Sequence, residues 1–110
     1  MSELLTDNQC EKALRGLDGW TYNDVYKNIE KTFKFNNFEA AITFIQHVAS
    51  ISVEINHCPD ISIGKSGTAK ITSTTDDVNG VTEKDIALAE SIEILAVSYT
   101  HLRAHETRHD

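Results

Sequence analysis

Two short segments of this 110-residue chain carry side chains that could move protons or hold a small polar molecule. The segment Glu54-Ile55-Asn56-His57-Cys58-Pro59 brings together a carboxylate, an imidazole and a thiol, and the segment Thr74-Thr75-Asp76-Asp77 adds hydroxyls and carboxylates. Imidazole can act as an acid or as a base near neutral pH, because its ordinary pKa lies in that range. These two segments are therefore the candidates for a catalytic or binding site.

Each candidate residue also has a structural explanation. A histidine that follows a helix and precedes a proline can satisfy free backbone carbonyl groups, as His57 could. Cys58 can be a small apolar filler rather than a nucleophile, and we favour the filler. Asp76 and Asp77 can form a solvated strand end or accept hydrogen bonds from a ligand, and both interpretations stay open.

The spacing of three histidines near the C-terminus is typical of metal ligands, but another explanation of this segment is favoured. His101, His105 and His109 recur at four-residue spacing, which on a helix would align them as metal ligands. Residues 97–107, however, resemble the in-frame translation of a transposon-type sequencing adapter. We therefore expect residues 1–96 to form one domain and residues 97–110 to be a non-native tail, and we predict no metal.

Composition excludes several classes of function. Lys and Arg total 10 against 17 Asp and Glu, a net charge of -7 that repels nucleic-acid phosphates, so we predict no direct nucleic-acid partner. Cys10 and Cys58 form no Cys-x-x-Cys pair, which predicts reduced thiols without a zinc or redox role. No apolar run reaches the roughly 20 residues of a membrane span, and the N-terminus does not resemble a signal peptide. We expect a cytoplasmic protein without a membrane partner.

Three helices are predicted around the two segments. Thr6 fits the N-cap of the first helix, and Asn36-Asn37 opens the second. We expect Pro59 to end the second helix, because proline disfavours helical geometry in the residue before it. Thr82-Glu83-Lys84-Asp85 resembles a capping box with Asp in place of the usual Glu. For Asp85 we therefore favour a role in capping the third helix over one in catalysis.

Alternating apolar residues predict two hairpins between these helices. The first covers residues 20–35, with a turn near Asn23 and Asp24, and the second joins strands at 60–64 and 68–75. The order is α-β-β-α-β-β-α. This order favours an α+β fold in which a four-stranded antiparallel sheet is covered on one face by three helices.

Four motifs are similar, in order, to those of the pterin-4a-carbinolamine dehydratase family. They are Gly19-Trp20, Phe33 with Phe35 and Phe38, His57-Cys58-Pro59-Asp60-Ile61, and Val81-Thr82-Glu83-Lys84-Asp85-Ile86-Ala87-Leu88-Ala89. The resemblance spans roughly residues 5–95. It implies loss of water from a 4a-hydroxytetrahydropterin, giving the quinonoid dihydropterin, without a metal or an organic cofactor. It also implies a pterin substrate as the small-molecule partner and assembly into a homodimer or homotetramer.

The chain departs from the family signature at its site. His57 matches the first histidine of the His-His-Pro motif, but Cys58 stands in place of the second, and Asp76 in place of the histidine that follows the fourth strand. A family glutamate is matched by Val53, with Glu54 one position late, which on a helix is a rotation of about 100°. By resemblance we predict His57, Glu54 and Asp76 as catalytic residues. His57 and Asp76, with Cys58, Pro59, Thr75 and Asp77, are the predicted contacts to the substrate.

Three functions follow from this pattern. The leading prediction is a pterin carbinolamine dehydratase, with turnover lowered by the missing histidines. The alternative is a non-catalytic family member that binds pterin or acts as a dimerisation cofactor for other proteins. A thiol enzyme using Cys58 is the third and least favoured prediction.

Overall fold

The computed structural model describes the backbone of residues 3–109 and the side chains of residues 3–97. The elements are α1 (Asp7–Leu14), β1 (Thr21–Asn23), β2 (Asn28–Lys34), α2 (Phe38–Glu54), β3 (Asp60–Gly64), β4 (Thr68–Ser73), a short 3-10 helix (Asp76–Val78) and α3 (Glu83–His109). This order confirms the predicted α-β-β-α-β-β-α arrangement. Among the described residues, no helix has both the length and the apolar character needed to cross a membrane.

The four strands form one antiparallel sheet in the order β1-β2-β4-β3. The strand β4 lies inside the sheet, so that Ile71 pairs with Lys31 on β2 and with Ile61 on β3. The strands β1 and β3 form the two edges. Because β4 pairs on both sides, the residues at its end have a fixed position relative to the rest of the sheet.

The core lies between one face of the sheet and the helices. Alternate residues of the inner strands are buried there, and they meet apolar side chains from α2 and α3: Ile29, Phe33, Ala69 and Ile71 from the sheet, and Phe44, Val48, Leu88 and Ile92 from the helices. Residues of the opposite parity, such as Thr32 and Lys70, are exposed. Fully burying a large apolar side chain contributes about 1.5–3 kcal/mol, so this period-two pattern fixes which face the helices cover.

The helix starts agree with the predicted caps. The Thr6 hydroxyl accepts from the backbone N–H of Gln9 at 3.1 Å, and the Gln9 side chain accepts from the N–H of Thr6 at 2.9 Å. The side chain of Asn37 accepts from the N–H of Ala40 at 2.8 Å at the start of α2. Each cap supplies acceptors for N–H groups that have no partner within the helix.

The end of α2 corrects the sequence prediction, because Pro59 does not terminate this helix. Asn56 adopts the left-handed conformation, with φ of 59°. Its N–H donates to the Val53 carbonyl at 3.1 Å, and the N–H of His57 donates to the Ser52 carbonyl at 3.0 Å. These two bonds form a Schellman motif, which closes the helix several residues before the proline. Asparagine is one of the few residues other than glycine that adopts this conformation readily.

The strand β4 ends at Ser73 rather than at the predicted Thr75, and a closed loop follows. The N–H of Thr75 donates to the Gly80 carbonyl at 2.8 Å, and the N–H of Gly80 donates to the Thr75 carbonyl at 3.3 Å. The short 3-10 helix lies within this Thr75–Gly80 loop, and Asn79 ends it in the left-handed conformation. The loop brings the chain back to the buried start of α3.

Candidate active site

The side chain of His57 points from the end of α2 to the start of α3. Its Nε2 atom lies 2.6 Å from Oδ1 of Asp85, and 11% of the His57 side chain is exposed. The Schellman motif holds the backbone of His57, and Asp85 holds its ring. Imidazole and carboxylate thus form a pair at the edge of the core, with the ring partly open to solvent.

Asp85 is fully buried and lies at the centre of the hydrogen-bond network around His57. Its Oδ2 atom accepts from the backbone N–H of Thr82 at 2.9 Å, and the Thr82 hydroxyl accepts from the N–H of Lys84 at 3.2 Å. This geometry confirms the predicted cap with Asp in place of Glu. Because the other carboxylate oxygen meets His57, the same residue caps α3 and orients the imidazole.

Two hydroxyl groups from the end of β4 complete the network. The Ser73 hydroxyl donates to Oδ1 of Asp85 at 2.5 Å, and the Thr75 hydroxyl donates to Oδ2 at 2.7 Å. The Thr75 and Thr82 hydroxyls are also 2.9 Å apart. Side chains two residues apart along an extended chain lie on the same side, which brings both Ser73 and Thr75 to Asp85.

This network determines which ring nitrogen of His57 is free. An ionised carboxylate only accepts hydrogen bonds, so the Nε2 atom facing Asp85 carries a proton. The Nδ1 atom is then the nitrogen that can exchange a proton with a bound molecule. Neutral His57 offers Nδ1 as a base, and protonated His57 offers it as an acid.

A cleft of about 390 Å³ opens in front of this pair. It brings together five of the residues predicted from sequence: His57, Cys58, Thr75, Asp76 and Asp77. Asn56, Thr74 and Lys84 also line it. The segments 54–59 and 74–77 therefore meet in space, although they lie on different elements.

Two of the predicted residues do not line this cleft. Glu54 is exposed at the last position of α2, and Pro59 precedes β3 outside the lining. Within the described part of the chain, no group of three or more His, Cys, Asp or Glu side chains is arranged to hold a metal ion. His101, His105 and His109, which have the spacing of metal ligands, lie outside the residues whose side chains the structure describes.

Ser73, Thr82 and Lys84 were not predicted as part of the site, and Asp85 was predicted only as a cap. The sequence contains a signal for Ser73, since it lies two residues after Ile71 and therefore on the same buried face of β4, where a hydroxyl needs a partner. Asp85 supplies that partner. Thr82 belongs to the predicted cap of α3, which indicated its place at the start of that helix but not its contact with Thr75. Lys84 carried no signal, because an exposed lysine in the first turn of a helix is ordinary.

The family model described as Pterin 4 alpha carbinolamine dehydratase matches residues 3–95. A protein of Rhizobium etli is 38% identical over 92 residues, which are 84% of this chain and 90% of that protein. A protein of Sulfolobus acidocaldarius is 34% identical over 88 residues, which are 80% of this chain and 93% of that protein. The names of both relatives assign them pterin-4-alpha-carbinolamine dehydratase activity provisionally.

Two solved structures share the fold. The crystal structure of a transcriptional coactivator/pterin dehydratase from Brucella melitensis matches with a TM-score of 0.79 and 33% identity, over 86% of this chain and 99% of that chain. A pterin dehydratase-like protein identified as a RuBisCO assembly factor in the alpha-carboxysome matches with a TM-score of 0.59 and 23% identity, over 71% of this chain and 89% of that chain. The second match is a likeness of fold alone.

Proposed function

The chain belongs to the pterin 4 alpha carbinolamine dehydratase family, and on that premise we propose that it eliminates water from a 4a-hydroxytetrahydropterin to give the quinonoid dihydropterin. The observation that carries the proposal is the 2.6 Å contact between His57, which lines the cleft, and the buried Asp85. This pair supplies an acid–base group whose free nitrogen is set by its partner. The substrate would be the only small molecule required, with no cofactor.

One imidazole can carry out both proton transfers of the reaction. Protonated His57 gives the Nδ1 proton to the 4a-hydroxyl, which leaves as water. As the C4a–O bond breaks, the lone pair of the ring nitrogen forms the new carbon–nitrogen double bond. Neutral His57 then takes the proton from that nitrogen, whose N–H electrons become its lone pair. The enzyme returns to its starting protonation state, so the reaction tolerates the loss of the other family histidines.

The carboxylates of the cleft suit the other end of the substrate. A pterin presents an amino group and a ring N–H side by side, and a carboxylate accepts two parallel hydrogen bonds of this kind. Asp76 and Asp77 are exposed and line the cleft, so we assign them to this edge of the pterin. Cys58 is assigned to contact with the substrate and Thr75 to orientation of Asp85. Glu54 does not line the cleft, so we assign it no step of the reaction.

The test is a stopped-flow dehydration assay on His57→Ala, with His47→Ala as the matched control. His47 is exposed on α2 and does not line the cleft, so its removal should leave the rate unchanged. Removing His57 should lower the rate roughly 10²- to 10⁴-fold, the range of one acid–base group. Restoring the family residues with Cys58→His and Asp76→His should raise the rate above that of the parent. If His57→Ala has no effect and the double replacement gains nothing, the catalytic proposal fails.

A non-catalytic role is the second candidate, because Cys58 and Asp76 replace two family histidines. The Brucella melitensis structure supports it, since that protein is described as a transcriptional coactivator as well as a pterin dehydratase. Calorimetric titration with a non-reactive dihydropterin distinguishes the two functions. Binding without turnover in the parent, and turnover only after the histidines are restored, would favour a pterin-binding or dimerisation cofactor.

Assembly into a homodimer or homotetramer in the cytoplasm completes the proposal. The edge strands β1 and β3 present backbone groups that another copy could pair with, and pairing would cover them. Light scattering at micromolar concentration should report an oligomer. A mass equal to one chain would contradict this part of the proposal.

A further inference from the structure

A second concave surface lies away from the cleft, in a groove between α1 and α3. The groove has a volume of about 410 Å³ and shares none of its lining residues with the cleft around His57. Leu5 and Ala13 line it from the α1 side, and Ile86 and Ala87 line it from α3. The mechanism of dehydration uses none of these residues.

The floor of the groove is apolar and combines small with larger side chains, as the contact surface of a packed helix does. Ala13 and Ala87 are small, and Leu5 and Ile86 are half-buried beside them. Small side chains let the backbone of a packed helix approach closely, while the larger pair gives it apolar contact. The floor thus resembles the surface that two neighbouring helices of a bundle present to a third helix.

Two carboxylates flank this floor along α3. Glu83 and Glu90 both line the groove, both are exposed, and they are seven residues apart, about 10.5 Å along a helix. Ile86 and Ala87 lie between them on the same face of the helix. Within the described residues neither carboxylate forms an ion pair, and no Lys or Arg lines the groove.

This charge pattern selects the occupant. A second copy of the chain, docked by the same surface, would set Glu83 and Glu90 against their own counterparts, and like charges brought together oppose association. A helix with Lys or Arg at positions i and i+7 and apolar residues at i+3 and i+4 matches both the carboxylates and the floor. We propose that the groove between α1 and α3 docks a basic amphipathic helix of a partner protein.

The test uses a fluorescein-labelled peptide of roughly 18 residues, long enough to form a helix, with lysines at i and i+7 and leucine and alanine at i+3 and i+4. Its fluorescence anisotropy is measured against the full chain. The control peptide carries glutamate in place of both lysines. We expect saturable binding of the basic peptide, weakened by added salt, and no binding of the acidic peptide. Equal binding of both peptides, or binding of neither, would overturn the proposal.

Variants separate charge from shape. Replacing both Glu83 and Glu90 by Gln should weaken binding about three- to tenfold, the effect of losing two exposed ion pairs. Ala87→Trp, at an exposed helix position, should abolish binding by filling the groove. The matched control is Glu11→Gln, an exposed carboxylate of α1 outside the groove, which should bind as the parent does.

Two further measurements keep the variants interpretable. Circular dichroism and the melting temperature establish that each variant is folded, and loss of binding by a folded Ala87→Trp supports the groove as the docking site. Light scattering reports the oligomeric state. If Ala87→Trp lowers the mass of the parent assembly, the groove is instead a contact between copies of this chain, and the proposal is wrong. The outcome does not depend on dehydratase activity, because the peptide assay contains no pterin.

Discussion

Asp85→Asn is the substitution that most directly tests how the site is built. The amide keeps the size of the carboxylate but replaces one acceptor oxygen by an NH₂ donor. In the parent, one oxygen meets His57 and Ser73, and the other meets Thr82 and Thr75. The amide has one oxygen, so it can accept hydrogen bonds from only one of these two groups of partners. Each of its two orientations therefore has a distinct consequence.

If the amide oxygen faces Thr82, the helix cap survives and the NH₂ group faces His57. Nε2 must then accept, so the neutral ring carries its proton on Nδ1 and can no longer act as a base there. If the amide oxygen faces His57, the NH₂ group opposes the buried N–H of Thr82, which loses its partner at a cost of about 1–3 kcal/mol. Each kcal/mol lowers the melting temperature by roughly 4–8 °C in a domain of this size.

We expect the first orientation to dominate, because it keeps the backbone hydrogen bond and hydroxyl groups can rotate to match the amide. The dehydration rate should then fall roughly 10²- to 10⁴-fold with little loss of stability. Asp24→Asn, the same change at an exposed turn residue, is the control and should match the parent. In a His57→Ala background, Asp85→Asn should cost no further rate, because Asp85 acts through the imidazole.

The ¹⁵N chemical shifts of the His57 ring give a readout that does not depend on turnover. The parent should show the neutral tautomer protonated on Nε2, and Asp85→Asn should show the one protonated on Nδ1. Our reasoning is refuted if the variant keeps the parental tautomer and also turns over at the parental rate. A variant with the parental tautomer and a lowered melting temperature would show that the second orientation dominates.

Three further outcomes are expected. Burial and then the hydrogen bond to Asp7 raise the pKa of Tyr22, so its phenol should ionise above the ordinary value of about 10. The stability that this hydrogen-bonded phenol contributes should be fully present below pH of about 10 and should be lost as the pH rises through the raised pKa. Absorbance titration of the parent against Tyr22→Phe measures this, and a midpoint at or below 10 would contradict it. Cys58 is exposed, whereas Cys10 is buried and burial raises the pKa of its thiol. A disulfide reagent should therefore label one thiol quickly in the parent and none in Cys58→Ser. Two rapidly labelled thiols in the parent would show that the core opens. Deletion after Ala96 removes no side chain described in the core and should leave the melting temperature unchanged, and a large fall would show that residues 97–110 stabilise the domain.

The fold was predictable because its signals are local. The caps at Thr6, Asn37 and Thr82 each depend on residues within three positions, and strand alternation depends on the next residue but one. These local patterns together determine element order, and the order of hairpins and helices favours this architecture. One local signal was misjudged: Pro59 was taken as the end of α2, although an asparagine in the left-handed conformation had already closed it.

The full role of Asp85 could not be predicted in the same way. Its partners Thr75, Ser73 and His57 lie 10, 12 and 28 residues away along the chain. A capping pattern accounts for one carboxylate oxygen, and nothing local tells what the other oxygen meets. Only the packing of α2 and α3 against β4 brings the imidazole to it. The positions of Glu54 and Cys58 relative to the cleft depend on the same packing.

The Thr75–Gly80 loop has a consequence for how this site can change over generations. Its two ends are held together by backbone atoms alone, and Thr75 reaches Asp85 from outside the turn that follows. The side chains of Asp76 and Asp77 project from a turn whose closure does not involve them. Histidine in place of Asp76 would therefore leave the backbone hydrogen bonds that close the loop, and the contact between His57 and Asp85, unchanged. The side chain at position 76 can change independently of the site behind it, whereas a change at His57 or at Asp85 removes the partner of the other.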